Sequence, residues 1–503
     1  MGIVFDEKLD LFHLETEHTS YVIGLADKRT YVGHVYYGKR IRPQDMRYLL
    51  RVGEPPYVPS ENNRERCSFY DTFPFEYSGN GVGDYRESAI AVTTVEGQHA
   101  ILPTYVSYGI TKEKPLLAGL PSSFDRDKNT ETLIIHCTDS VLNVNVDLYY
   151  TVFEDTDMIT RSVHICNQDE KPIYLTKALS ACLDMDDNDY EMLTLHGSWA
   201  RERQMDRRAI GYGKTSVGSI KGESSHQEHP FMAWMTKNAT QTTGEVYAMH
   251  FIYSGNFIAQ LEKSQFDSIR AVMGIHPADF GWKLESGDAF DTPEVVLTYS
   301  ADGLGTMTRN FHDFYRNHLI RSKYRNQKRP VLINNWEATY FDFNTEKLLD
   351  IARTAAKHGI EMLVMDDGWF GHRNDDSTSL GDWFVNEEKI TGGLKYLVDE
   401  VNKLGLKFGI WMEPEMISPD SKLYKEHPDW AIAVKDRVGT LSRNQYVLDL
   451  SRKEVRDCIY DKIHAILSSA NIAYVKWDMN RQLTDMGSLM LPADRQGELA
   501  HRY

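Results

Sequence analysis

The sequence has few cysteines and none in pairs. Cys67, Cys137, Cys166, Cys182 and Cys458 are the five among 503 residues. They show neither CxxC spacing nor histidines at zinc-site spacing, which argues against a zinc ribbon and a disulfide framework. Scattered single thiols fit small buried hydrophobes in a reducing compartment, so a cytoplasmic location is expected. Basic residues are also in deficit. There are 56 Lys and Arg against 73 Asp and Glu, and the formal net charge is -17. That balance argues against nucleic acid and anionic membranes as partners. No apolar run approaches the ~20 residues of a membrane-spanning helix. The first residues, "MGIVFDEKLDLFHLE", lack both the basic and the apolar region of a signal peptide. No GxGxxG and no GxxxxGK is present, so no phosphate cradle is expected; a cofactor and a metal are not expected either.

What is present divides into two parts with different periods. Residues 1 to about 300 alternate like strands. In "VLNVNVDLYY", Leu142, Val144, Val146 and Leu148 alternate with Asn143, Asn145, Asp147 and Tyr149. That is a strand with one buried and one wet face. Many such strands predict a large antiparallel sandwich over 1–303. Met307, Phe311, Phe314 and His318 then fall at helical spacing. They predict a linker helix within 304–330.

From Val331 the chain alternates short apolar runs with amphipathic helices. "VLINNW", "IEMLVMDDGW", "LKFGIWMEPEM" and "AYVKWDMN" read as strands. The helices between them are punctuated by Gly359 and Gly405, and Ser451 with Glu454 has capping-box spacing. Repeated βα units predict a parallel sheet, either a (β/α)8 barrel or a doubly wound sheet. Only four convincing strands follow Val331, whereas a barrel needs eight and about 250 residues. The sequence ends inside a helical pattern without a glycine or proline stop. The expectation is the first half of a barrel over 331–503, truncated at its C-terminal end.

Each strand ends in acids and indoles. The ends are Trp336-Glu337, then Asp366-Asp367-Gly368-Trp369, then Trp411-Met412-Glu413-Pro414-Glu415, then Lys476-Trp477-Asp478-Met479-Asn480. Strand C-termini line the active site of a β/α barrel. Lys476, Asp478 and Asn480 lie at i, i+2 and i+4 and share one face. A neighbouring ammonium favours an ionised Asp478, as a nucleophile requires. Indoles pack on sugar C–H faces while carboxylates accept hydrogen bonds from hydroxyls. Singly, each residue has a plainer reading: an N-cap aspartate, a core tryptophan, a surface ion pair. Four consecutive strands ending alike make the joint plain reading the weaker one. A metal-dependent enolate enzyme with Asp366, Glu413 and Asp478 as ligands and Lys476 as base also fits the carboxylates, but not the tryptophans.

"NNWEATYFDF", "MDDGWFG", "LGDW", "GIWMEPEMI", "HPDW", "SRNQYVLDLS" and "YVKWDMNR" together resemble glycoside hydrolase family 36, the microbial α-galactosidases. "GDYRESAI" and "LHGSWARER" resemble that family's N-terminal β-supersandwich. The resemblance covers essentially the whole chain. It implies hydrolysis of terminal α-galactose from sugars such as melibiose and raffinose, with retention and without a cofactor. It assigns Asp478 as nucleophile. It assigns Asp366 and Asp367 to the galactose 4- and 6-hydroxyls. Trp336, Trp411, Arg443, Lys476 and Asn480 match further sugar contacts, and Trp199 a residue at the pocket edge. It implies a tetramer, with a loop around residues 50–85 reaching a neighbour's site. The family's acid/base aspartate lies on a later strand, so these 503 residues are expected to be poorly active or inactive. The alternative is a non-catalytic remnant that binds sugar or a partner.

Overall fold

The structure, a computed structural model, describes residues 2–50, 69–126 and 128–503. Cys67 and much of the loop expected to reach a neighbour lie outside the described residues. The chain divides into two compact units, Met1–Arg325 and Asn326–Tyr503. Among the described residues no helix is long and apolar enough to cross a membrane.

The first unit is built from antiparallel sheets of four, six and ten strands. The predicted alternation holds in Val144–Phe153, where Val144, Val146 and Leu148 are buried and Asn145 is exposed. The strand begins two residues later than the pattern suggests, because Asn143 turns the chain at φ 52. The "GDYRE" segment has a structural use. Arg86 and Arg270 bridge Asp84 and Asp184, and all four are buried. Two charges of each sign compensate one another where water cannot.

One expectation is corrected here. The helix Gly303–Phe314 is not a free linker. Met307, Phe311 and Phe314 pack with Phe153, Met158 and Val246 in the core of the first unit. A helix with so full an apolar stripe buries it against the nearest sheet.

The second unit holds a four-stranded parallel sheet. Its strands are β1 (Leu332–Asn334), β2 (Met362–Met365), β3 (Lys407–Met412) and β4 (Ile472–Trp477), adjacent in that order. The connecting helices include α1 (Thr345–Lys357), α2 (Gly393–Lys403) and α3 (Lys453–Ser468). Asn344 caps α1 by accepting from the Lys347 N–H, at 3.0 Å. Gly359 and Gly405 follow α1 and α2 with φ of 78 and 83, a left-handed conformation suited to glycine at a helix end. The capping box expected for α3 is absent. Ser451 donates instead to Asp449, and Glu454 accepts from Arg452. Strand β4 is an edge strand among the described residues, and Tyr474 and Trp477 on it are exposed.

Candidate active site

The register of the sheet assembles the site. Met365 pairs with Ile410, and Trp411 pairs with Lys476. One residue beyond β2, Asp366 therefore stands level with Trp411 and Lys476 across three strands. In a parallel sheet, residues at one level point to one face. Contacts follow from that level. Lys476 Nζ reaches Asp366 Oδ2 at 2.9 Å, and Asn334 Nδ2 donates to the same oxygen at 2.5 Å. The Asp366 backbone N–H donates to Asn335 Oδ1 at 2.8 Å, which ties β2 to the end of β1.

Asp478 lies just past β4. Its N–H donates to the Met412 carbonyl at 2.8 Å, continuing the β3–β4 pairing by one step. Its Oδ2 accepts from Trp411 Nε1 at 3.0 Å and from Asn480 Nδ2 at 2.8 Å. Its Oδ1 accepts from the Met479 N–H at 3.2 Å. A half-buried carboxylate with three N–H donors has a fixed orientation and keeps lone-pair capacity. Arg443 Nη1 donates to Asn480 Oδ1 at 3.0 Å, so Asn480 is held from both ends of its amide. Arg443 and Asn444 adopt φ of 51 and 58.

The expected electrostatic partner of Asp478 is therefore corrected. Lys476 pairs with Asp366, while Asp478 is stabilised by neutral donors. Lys476 belongs to β4, whereas Asp478 follows its last residue and turns back toward Trp411.

Asp367 faces a different cation. Arg373 Nε lies 3.0 Å from Oδ1, and Nη2 lies 2.9 Å from Oδ2. Burial pushes the Asp367 carboxyl up, Arg373 opposes this, and neighbouring Asp366 adds to the rise. Glu413, at the end of β3, accepts from the Asn480 N–H at 2.6 Å and from Gln445 Nε2 at 3.0 Å. Burial also raises its proton affinity, its N–H donors oppose this, and Asp478 adds to it.

Two family patterns match the chain. One, described as the glycosyl hydrolase family 36 N-terminal domain, matches residues 30–285, and one described as melibiase matches residues 289–503. The α-galactosidase AgaA of Geobacillus stearothermophilus is 45% identical over 505 residues, covering 100% of this chain and 69% of that protein. This chain belongs to glycosyl hydrolase family 36. Alpha-galactosidase 1 of Pediococcus pentosaceus is 43% identical, covering 100% of this chain and 68% of that protein. A crystal structure of a Geobacillus stearothermophilus AgaA variant in complex with raffinose superposes with a TM-score of 0.96. It is 46% identical and covers 98% of this chain and 69% of that chain. The parallel sheet is thus part of the family 36 catalytic barrel.

Within the second unit direct contacts join Asp366 to Lys476, and separately join Trp411, Asp478, Asn480 and Arg443; the β3–β4 register sets Trp411 level with Lys476. Trp336 is half-buried in a one-turn helix after β1, against Tyr340 and Phe341. The tryptophans differ from one another. Trp369 and Trp411 are almost fully buried, with Trp369 Nε1 donating to the Trp411 carbonyl at 2.9 Å. Trp411 therefore offers its indole N–H to Asp478 more than a ring face to a sugar. Trp477 is exposed and donates to Glu415. Trp199 is also exposed, in the turn of the hairpin formed by Tyr190–Ser198 and Arg201–Ala209 in the first unit.

Sequence reasoning missed Asn334, Arg373, Lys389 and Gln445. Asn334 was visible as a polar residue inside "VLINNW". Arg373, Lys389 and Gln445 lie in loops, where spacing says little about contact. The three carboxylates proposed as metal ligands do not converge. Asp366, Glu413 and Asp478 are each taken up by separate N–H donors, and among the described residues no cluster is arranged to hold a metal.

Proposed function

We propose that Asp366, Asp367, Lys476 and Asp478 form the galactose-binding half of a retaining α-galactosidase site. The observation that carries this reading is the meeting of these groups at the C-terminal ends of β2 and β4. Two buried carboxylates, each held by a cation, stand beside a third carboxylate held only by neutral donors. The paired acids suit sugar hydroxyls, and the third suits attack on the anomeric carbon.

In this mechanism an Asp478 oxygen bonds to the anomeric carbon as the aglycone oxygen leaves. The covalent β-galactosyl ester is then hydrolysed by water, and the two inversions restore the α configuration. Trp411 and Asn480 orient the attacking carboxylate. Arg443 steadies Asn480, and Trp336 serves as a further sugar contact. The second carboxyl, which protonates the leaving oxygen, comes in the family from a later strand. Melibiose- and raffinose-type galactosides are the substrates, the location is cytoplasmic, and the assembly is a homo-oligomer.

Galactose and glucose differ only in the orientation of the 4-hydroxyl. A buried acid placed for the axial hydroxyl is left unpaired by the other epimer. Asp367→Asn is expected to lower galactose-over-glucose discrimination by about tenfold or more, with a smaller loss of overall affinity. Binding of both sugars to the 503-residue chain, followed by tryptophan fluorescence, measures this. An equal loss for both sugars makes Asp367 structural.

A further inference from the structure

We propose that Arg373 is a positioning residue that sets selectivity for galactose by holding Asp367 in one rotamer and one charge state. This rests on the sugar-site reading above and adds to it a residue that touches no sugar.

Arg373 is only 2% exposed, a depth that an arginine reaches when it is paired. Its Nε lies 3.0 Å from Asp367 Oδ1 and 3.2 Å from Oδ2, and Nη2 lies 2.9 Å from Oδ2. Both carboxylate oxygens are therefore engaged from one side. A planar guanidinium fixes the plane of a carboxylate as a point charge does not. Each oxygen retains lone-pair capacity for a hydroxyl on its other side.

The guanidinium is itself fixed. Nη1 donates to the Thr378 carbonyl at 2.6 Å, so the ring of donors cannot rotate. Its backbone is fixed as well. Lys389 Nζ donates to the carbonyls of Arg373, Gly368 and Phe341 at 3.0, 3.1 and 2.9 Å. One ammonium thus joins the loop after β1 to the loop after β2, which carries Asp367. Gly368, between the acid and this loop, has φ 109, where a side chain is strained.

Electrostatics require the cation. Asp366 and Asp367 are adjacent and both buried. Two neighbouring carboxylates in a low dielectric cannot both remain ionised without compensation. Lys476 compensates Asp366, and Arg373 compensates Asp367. Without Arg373, Asp367 takes up a proton at higher pH. A protonated acid has one oxygen acting as donor and loses the acceptor pattern that reads the axial hydroxyl.

The test compares wild type, Arg373→Lys, Arg373→Gln and Asp367→Asn as 503-residue chains, with thermal unfolding as the folding control. Dissociation constants for galactose and glucose are read by tryptophan fluorescence at about pH 8 and about pH 5. Arg373→Lys is expected to retain folding but to lose about tenfold in the galactose-to-glucose ratio. Arg373→Gln is expected to lose the ratio further and to weaken on galactose more steeply than wild type as pH falls. Folded Arg373→Lys and Arg373→Gln chains with the wild-type ratio at both pH values overturn the proposal, and so does an Asp367→Asn chain with the wild-type ratio. If Arg373→Gln does not fold, the Arg373→Lys ratio alone decides. A wild-type chain that does not distinguish the two sugars removes the sugar-site reading, and this inference with it.

Discussion

Asp478→Ala is expected to lower turnover of an activated aryl α-galactoside by about three orders of magnitude or more, equivalent to roughly 4 kcal/mol of transition-state stabilisation. The substitution removes a half-buried carboxylate that is held by neutral donors alone, whereas Asp366 and Asp367 are each paired with a cation. Trp411 Nε1 and Asn480 Nδ2 then face a space about the size of a carboxylate. A small anion fits there, so added azide is expected to restore part of the rate. Azide attacks the anomeric carbon from the side Asp478 occupied and expels the aryloxide. The product is β-galactosyl azide, and its configuration separates rescue of a nucleophile from rescue of an acid. Near-normal turnover without azide contradicts the assignment, as does an α-configured azide product.

The 503-residue chain is expected to cleave nitrophenyl α-galactosides about 10²–10⁴-fold faster than raffinose. A nitrophenolate leaves as a stable anion, whereas a sugar alkoxide must be protonated as it departs. None of the described carboxyls in the site is free to supply that proton. Asp366 is held by Lys476 and Asn334, and Asp367 by Arg373. Glu413 has a raised proton affinity, but it is 1% exposed and its Oε1 accepts two N–H groups. The two assays on one preparation measure the difference. Equal rates on raffinose and the aryl substrate mean that one of these acids, or a second polypeptide, performs the protonation.

The element types were legible because the periods differ. Alternation in "VLNVNVDLYY" and the apolar stripe of α1 each match one geometry, and the structure keeps both. The end-of-strand acids were legible because polar residues that close an apolar run have few structural uses. Their pairing was not. Lys476 and Asp478 are two residues apart in sequence, and proximity suggested an ion pair. The partner of Lys476 is instead Asp366, 110 residues away and level with it across the sheet. Only the register between strands reveals that. The roles of the tryptophans were hidden for a similar reason. An indole at a strand end faces solvent or packs inward according to the loops above it, and Trp411 is covered by Phe370 and Trp383. The helix Gly303–Phe314 looked like a linker because sequence shows that a stripe exists but not which sheet receives it.

The central claim is that Asp478 forms the covalent bond to galactose. A 2-deoxy-2-fluoro-galactosyl fluoride of α configuration tests it most directly, because fluoride departs with little proton assistance while the fluorine slows hydrolysis of the ester. Tryptic digestion and mass spectrometry of the treated 503-residue chain locate the label. The expected result is one modified peptide, Trp477–Arg481, carrying the sugar on Asp478, and no label in Asp478→Ala. A label on Glu413, Asp366 or Asp367, or a label that persists in Asp478→Ala, contradicts the account.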